Sequence, residues 1–408
     1  TPRRDRCVSN PSAAKAAVTS GIGSDGRYAD IRVNTEHTEI AIIGGGLQGL
    51  STALHLAQRG RRVMIIEAHH PGRFASGVNA GGVRRLGRDP AEIPLAMAAS
   101  EMWHSIEDLV DDDCGFRAVG QLKIAEDDAD LRKLEARAAM VRDLGFDHEE
   151  IIDQKRLRVL APGVHARAVG GLWCEDDGSA DPMRTVQAFY RKARALGVAF
   201  KLGQEVSQIA KVGTGWQMTS GETQITSDIV INCAGAWGNK IAAMIGEEVP
   251  LETHALTMMV SERTPHFIDP VCGLASRKLS FKQTLEGTLL IGGAHLGYAD
   301  RDAGIAEPDP VKMAISAKTV SDVFPHLANV RIARAWAGLE GMTPDRLPVI
   351  SPSKVDGSFF HAFGFSAHGF QLSPVVGRIM SSLICDDTSN LPLYPFRIER
   401  FSDGETKL

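Results

Sequence analysis

Two short apolar runs, Ile40 to Ile43 and Val63 to Ile66, flank a stretch in which Leu50, Ala53, Leu54 and Ala57 recur at helical spacing before Gly60. The pattern predicts strand, helix, strand. Ile93, Met97, Ser100, Trp103 and Ile106 repeat the helical period, which makes Trp103 a core residue. From Cys114 to about Leu172 a strand-like Gln121 to Ala125 mixes with charged helical pattern over Asp127 to Leu144, as expected of an insertion. A helix over Met183 to Leu196 follows, then Val198 to Lys201, a strand at Val206, and a β-meander through Trp216 and Ile225. Residues 250–298 alternate apolar and polar, as in Leu256 to Val260, Leu279 to Lys282 and Thr288 to Ile291, and predict an antiparallel sheet. The last helix is predicted from Pro374 to Ile384, with Ser373 as N-cap.

These elements predict an α/β protein, with a Rossmann-like domain and a second, antiparallel-sheet α+β domain, discontinuous in sequence. The nucleotide domain is expected at 38–115, 173–249 and 330–400, and the substrate domain at 116–172 and 250–329. Residues 1–37 have no apolar period and read as a flexible leader. Asp5, Asp25 and Asp30 count against an organelle transit peptide.

Charge narrows the partners. Lys and Arg (45) nearly balance Asp and Glu (50), so neither nucleic acid nor an anionic membrane surface is expected. No apolar run reaches the roughly 20 residues of a membrane span. Cysteines 7, 114, 174, 233, 272 and 385 are scattered, which favours buried free thiols and a cytoplasmic protein. No His/Cys/Asp/Glu group has metal-ligand spacing, and Gly364-Phe-Ser-Ala-His does not fit a nucleophile elbow.

The chemistry gathers at four places. Gly44, Gly46 and Gly49 are spaced G-x-G-x-x-G between the first strand and helix, and Glu67 ends the second strand. This is the pattern of a dinucleotide-binding βαβ unit: glycines for the turn, the close approach and the packing, and the acid for the ribose. Residues 74–88 hold Ser76, Gly77, Ala80, Gly81 and Gly82 ahead of Arg84, Arg85 and Arg88. They read either as backbone laid against a flat ring system or as an ordinary loop with solvated arginines. Ala234-Gly235 at a strand end allows a second close approach, with Trp237 beside it serving the cofactor or simple packing. Finally, Gly364 to Gly369 feeds a helix N-terminus. That positive end suits a flavin, whose reduced ring is negative near N1 and the C2 carbonyl.

With Asn79-Ala-Gly-Gly-Val-Arg84, Trp336-Ala-Gly and Thr343-Pro-Asp345 added to these motifs, the chain from Thr38 to Ile384 resembles the D-amino-acid oxidase superfamily of flavoproteins. The resemblance implies a glutathione-reductase-related nucleotide domain and FAD in an extended pose. It also implies oxidation of the C–N bond of an amine or amino acid by hydride transfer to flavin N5, with the imine then hydrolysed. It extends the cofactor contacts to Leu47, Gln48, Ala68, Asn79, Val206, Gly338, Gly341, His368, Phe370 and Gln371. Three departures bear on the substrate. Gly338 replaces a flavin-tethering cysteine, implying non-covalent FAD; Gln371 replaces a carboxylate-binding lysine; Glu340 replaces a carboxylate-binding arginine. Either Arg84, with Arg85 or Arg88 behind it, takes a substrate carboxylate, or Glu340 meets a substrate cation. Lys282 and His295 complete the catalytic candidates. The rivals are a 2-hydroxy-acid dehydrogenase using His254, His295 or His361 as base, and a flavin-bearing subunit of a larger enzyme. The electron acceptor, oxygen or another, and homo- or hetero-oligomerisation stay open.

Overall fold

A computed structural model describes residues 19–22, 28–31, 34–292 and 295–402. Its first sheet is built on Asn34–Ile43, where Ile40, Ala41 and Ile42 are wholly buried. Val63–Glu67 and then Ala199–Leu202 pair parallel on one side, and Thr223–Asn232 on the other. The far edge of Thr223–Asn232 is shared. Its first half pairs antiparallel with Gly215–Ser220, and its second half pairs parallel with Phe359–Phe363. Strands buried on both faces read as unbroken apolar runs, which is why the sequence pattern here is continuous. Leu47–Gln58, Pro182–Ala195 and Gly369–Asp386 cover one face through Leu50, Leu54, Phe189 and Val376. The meander covers the other with Trp216, Met218 and Ile225.

The second sheet has the order Ile332–Met342, Glu252–Arg263, Thr288–Gly292, Ser280–Gln283, Val271–Leu274, Gln121–Ala125, Gly170–Cys174, Glu150–Asp153. All its neighbours are antiparallel except Val271–Leu274 with Gln121–Ala125. Period-two alternation gives it a core face (Leu122, Ile124, Phe281, Leu289) and an opposite face carrying Gln121, Lys123 and Ser280.

Several elements differ from the sequence expectation. The closing helix starts at Gly369, not Pro374, and Pro374 lies inside it. Proline leaves the Phe370 carbonyl without its usual i+4 N–H donor, and the Ser373 hydroxyl donates to that carbonyl at 2.9 Å instead. Ser373 therefore repairs a helix interior; it does not cap a start. Val206 sits in a loop between Ala199–Leu202 and Gln208–Val212, held where Gln204 N–H bonds Glu67 O. Sequence boundary 173 falls within Gly170–Cys174, and 330 just precedes Ile332–Met342, both strands of the second sheet. Of the expected leader, residues 1–18, 23–27 and 32–33 lie outside the described residues. Thr19–Ile22 pairs with Tyr28–Ile31, and Asn34 already belongs to the long first strand. Among the described residues, no helix is long and apolar enough to cross a membrane.

Candidate active site

The carboxyl ends of the parallel strands open onto a cavity of about 750 Å3, roofed by the second sheet. Gly44 makes the strand-to-helix turn at φ +108°, and a Cβ there would lie 2.4 Å from Cys233 O. A Cβ on Gly49 would lie 2.0 Å from Gly44 O, so Gly49 and Leu47 serve the packing of the turn and not the cavity wall. Gly46 is in the wall at the N-terminus of Leu47–Gln58, where Leu47 N–H donates to Ser76 Oγ at 3.0 Å. Glu67 is fixed by two backbone donors, Gly45 N–H at 2.6 Å and His69 N–H at 2.8 Å, one per carboxylate oxygen. Its remaining lone pairs stay free for hydroxyls in the cavity, which it lines with Ala68 and Val206.

The loop after it is tied up by one side chain. Asn79 donates to the carbonyls of Ala75 and Ser76, both at 2.9 Å, and accepts from Gly81 N–H at 2.7 Å. Ser76, Asn79, Ala80 and Gly82 line the cavity. Gly81 turns away at φ +68° to lie against Ala180, off the wall. The second sheet docks on this loop through Trp336, whose indole N–H donates to Val78 O at 2.8 Å. Gly338 is needed at that junction, since a Cβ there would lie 2.3 Å from Val78 Cγ2. Opposite, Ala234, Gly235 and Gly341 line the cavity, and Trp237 packs on Phe74 with ring centroids 4.6 Å apart.

Gly364, Gly369 and Phe370 bring the closing helix to the wall, so the N-termini of two long helices face one space. His368, Gln371 and Trp103 stand behind that wall. Arg88 Nη2 donates to Gln371 Oε1 at 3.1 Å, the Gln371 amide donates to Ala96 O at 2.9 Å, and Trp103 Nε1–H donates to Gln371 O at 2.8 Å. His368 Nδ1 lies 2.8 Å from Glu92, and burial pulls its pKa down to about 4.

The charged side chains divide into spent and unspent. Arg85 is spent on Asp177 and Asp176, at 3.0 and 3.2 Å. Arg84 and Arg88 line the cavity; burial lowers both, Arg88 to about 9 with the Arg84 charge adding. Glu340 faces the same space and accepts Ala367 N–H at 2.9 Å, while burial raises its pKa to about 7. Lys282 is near the cavity and outside its wall; burial lowers it to about 8 against the pull of Asp181. His254 and His295 are also outside the wall, and His361 is fully buried 2.7 Å from Glu247. Its partner Asn232 accepts Ala234 N–H at 3.2 Å, so His361 braces the Ala234–Gly235 approach from below. Sequence reading missed Gln121 and Lys123, which line the cavity. Their alternation with Leu122 and Ile124 was the available signal.

The residues present fit FAD. Gly44, Gly46, Gly235 and Gly364 form a cradle without side chains, Glu67 offers acceptors at a strand end, and buried Gln48 Oε1 has no protein partner. Comparisons with known proteins agree. The family described as "FAD dependent oxidoreductase" (DAO) matches residues 39–383. Hydrogen cyanide synthase subunit HcnC of Pseudomonas aeruginosa is 25% identical, covering 89% of this chain and 96% of its own. Sarcosine oxidase subunit beta of Rhizobium meliloti is 28% identical, covering 90% and 89%. L-proline dehydrogenase from P. horikoshii superposes with a TM-score of 0.84 at 25% identity, over 91% of this chain and 99% of that one.

Proposed function

The chain belongs to the family of FAD-dependent oxidoreductases that act on amines and amino acids, and from that premise we propose that it removes a hydride from the carbon beside an amine nitrogen. When bound, FAD would supply the hydride acceptor, and water would hydrolyse the product imine. The observation that carries this reading is the division of the cavity wall. Glycines and Glu67 at the ends of the first sheet line one part of it, suited to a nucleotide, while Arg84 and Glu340 line the same cavity with no ion pair between them among the described residues.

The residues have separate tasks. Arg84 orients an anionic substrate group, using one N–H on Leu86 O at 2.7 Å and leaving others for the ligand. Glu340, poised near neutrality, receives a substrate ammonium or takes up its proton. The neutral amine lone pair then assists hydride departure, so no strong base is required. Glycine at 338 supports non-covalent FAD. His254, His295 and His361, the candidate bases for 2-hydroxy-acid oxidation, are outside the wall, and the one described histidine in it, His69, stands beside Glu67 at the strand end, which favours amine oxidation.

Anaerobic addition of an amine and amino-acid panel to the FAD-loaded protein tests this. Loss of the flavin's visible absorbance with one of them supports it; bleaching by hydroxy acids alone overturns it. A second reading has its own support, because two of the relatives above are subunits of larger enzymes. In that reading the flavin is reduced by the amine but reoxidised only through a partner subunit, and reoxidation in air of the isolated chain separates the two.

A further inference from the structure

Lys123 stands on the cavity face of the second sheet, on the strand Gln121–Ala125, between core residues Leu122 and Ile124. Across the cavity wall, Gly87 marks where it points: a Cβ built on Gly87 would lie 3.5 Å from Lys123 Nζ and 3.8 Å from Arg84 Nη1. Two cations, one from the loop after Gly82–Val83 and one from the second sheet, thus close on one point. Burial lowers the pKa of both, and the charge of Arg84 lowers that of Lys123 further. Its backbone is paired in the sheet, but among the described residues the Lys123 ammonium has neither a hydrogen bond nor an ion pair. The acid whose charge reaches it, Glu149, is already bound by Arg137 at 3.0 Å through both oxygens and by Gly87 N–H at 2.7 Å. Like charges brought together away from water are costly unless an anion lies between them.

We propose that Lys123 and Arg84 together form a carboxylate site, so that the substrate is an amino acid or N-substituted amino acid and not a simple amine. This rests on the reading of the cavity as an amine-oxidising site and names the part of the ligand that reading left open. One carboxylate oxygen takes the Lys123 ammonium and the other the free N–H groups of Arg84. The pair joins the loop after Gly82–Val83 to the second sheet through the ligand.

The test uses the FAD-loaded protein with propionate as probe, its dissociation constant read from the perturbed visible spectrum of the flavin. Lys123→Met raises that constant about tenfold or more, as expected for losing one charge-assisted contact, and Lys123→Arg restores most of it. With proline and pyrrolidine as matched reductants, Lys123→Met raises KM for proline at least about tenfold more than for pyrrolidine. Unchanged propionate affinity in Lys123→Met, no propionate binding by the wild-type protein, or equal losses for proline and pyrrolidine overturn the proposal. If wild-type flavin is reduced by no amine or amino acid, the proposed function fails, while the propionate titration still decides the anion site.

Discussion

Gln48, the second residue of the first long helix, donates its side-chain amide to the carbonyl of Gly369, the first residue of the closing helix, at 2.7 Å. The bond pins two helix N-termini at one cavity, although the residues are 321 positions apart. Gln48→Leu leaves the Gly369 carbonyl without this donor and removes a buried acceptor from the wall. It is expected to lower stability by about 1 kcal/mol and to weaken FAD retention, as read by thermal unfolding and gel filtration with flavin absorbance.

Gly44→Ala is expected to be more severe. The added carbon meets a backbone carbonyl, not a side chain that can swing away, and φ is +108°. Strain of about 1–3 kcal/mol at the turn should abolish FAD binding while the second sheet remains folded. Absorbance of the purified protein and circular dichroism check the two halves of this statement.

Arg84→Ala should raise KM for a carboxylate-bearing substrate by about ten- to a hundredfold, the range for a charge-assisted hydrogen bond, with kcat little changed. Glu340→Gln addresses the opposite pole. Glu340 ionises near 7, so affinity for a cationic amine should rise with pH through that value in the wild type and lose the inflection in the variant. Steady-state profiles between pH 5 and 9, roughly two units either side, decide it.

Acid stability should depend on His55 and His368. Burial depresses both to about 4 from 6.5, and the charges of Arg88 and Arg84 add to the depression at His368 while Glu92 opposes it. The unfolded chain binds more protons across that window, so stability falls as pH drops from 6.5 towards 4. Each group contributes up to about 1.4 kcal/mol per pH unit. Denaturant midpoints for His368→Asn should show a shallower decline than the wild type.

The parts of this molecule that were legible in the sequence are those in which local pattern and tertiary role coincide. Ile40 to Ile43 into Gly44 is a buried parallel strand and a glycine-dependent turn on any reading, and Glu67 follows from it. Pro374 misled because a first-turn proline is the usual economy, whereas here Ser373 supplies the lost donor inside the helix. Gln371 was legible as part of the site but not as a residue behind its wall, since only the fold shows it held by Arg88, Ala96 and Trp103. Lys123 was overlooked because its strand is short and its cavity face is set by a sheet assembled from distant segments.

The sharing of Thr223–Asn232 between Asn34–Ile43 and Phe359–Phe363 has a consequence for biosynthesis. While the protein is being translated, the opening βαβ unit emerges early but lacks the strand and helix that complete its cofactor side until Asp386 has left the ribosome. A ribosome stalled before Phe359 should therefore carry a nascent chain that holds no FAD.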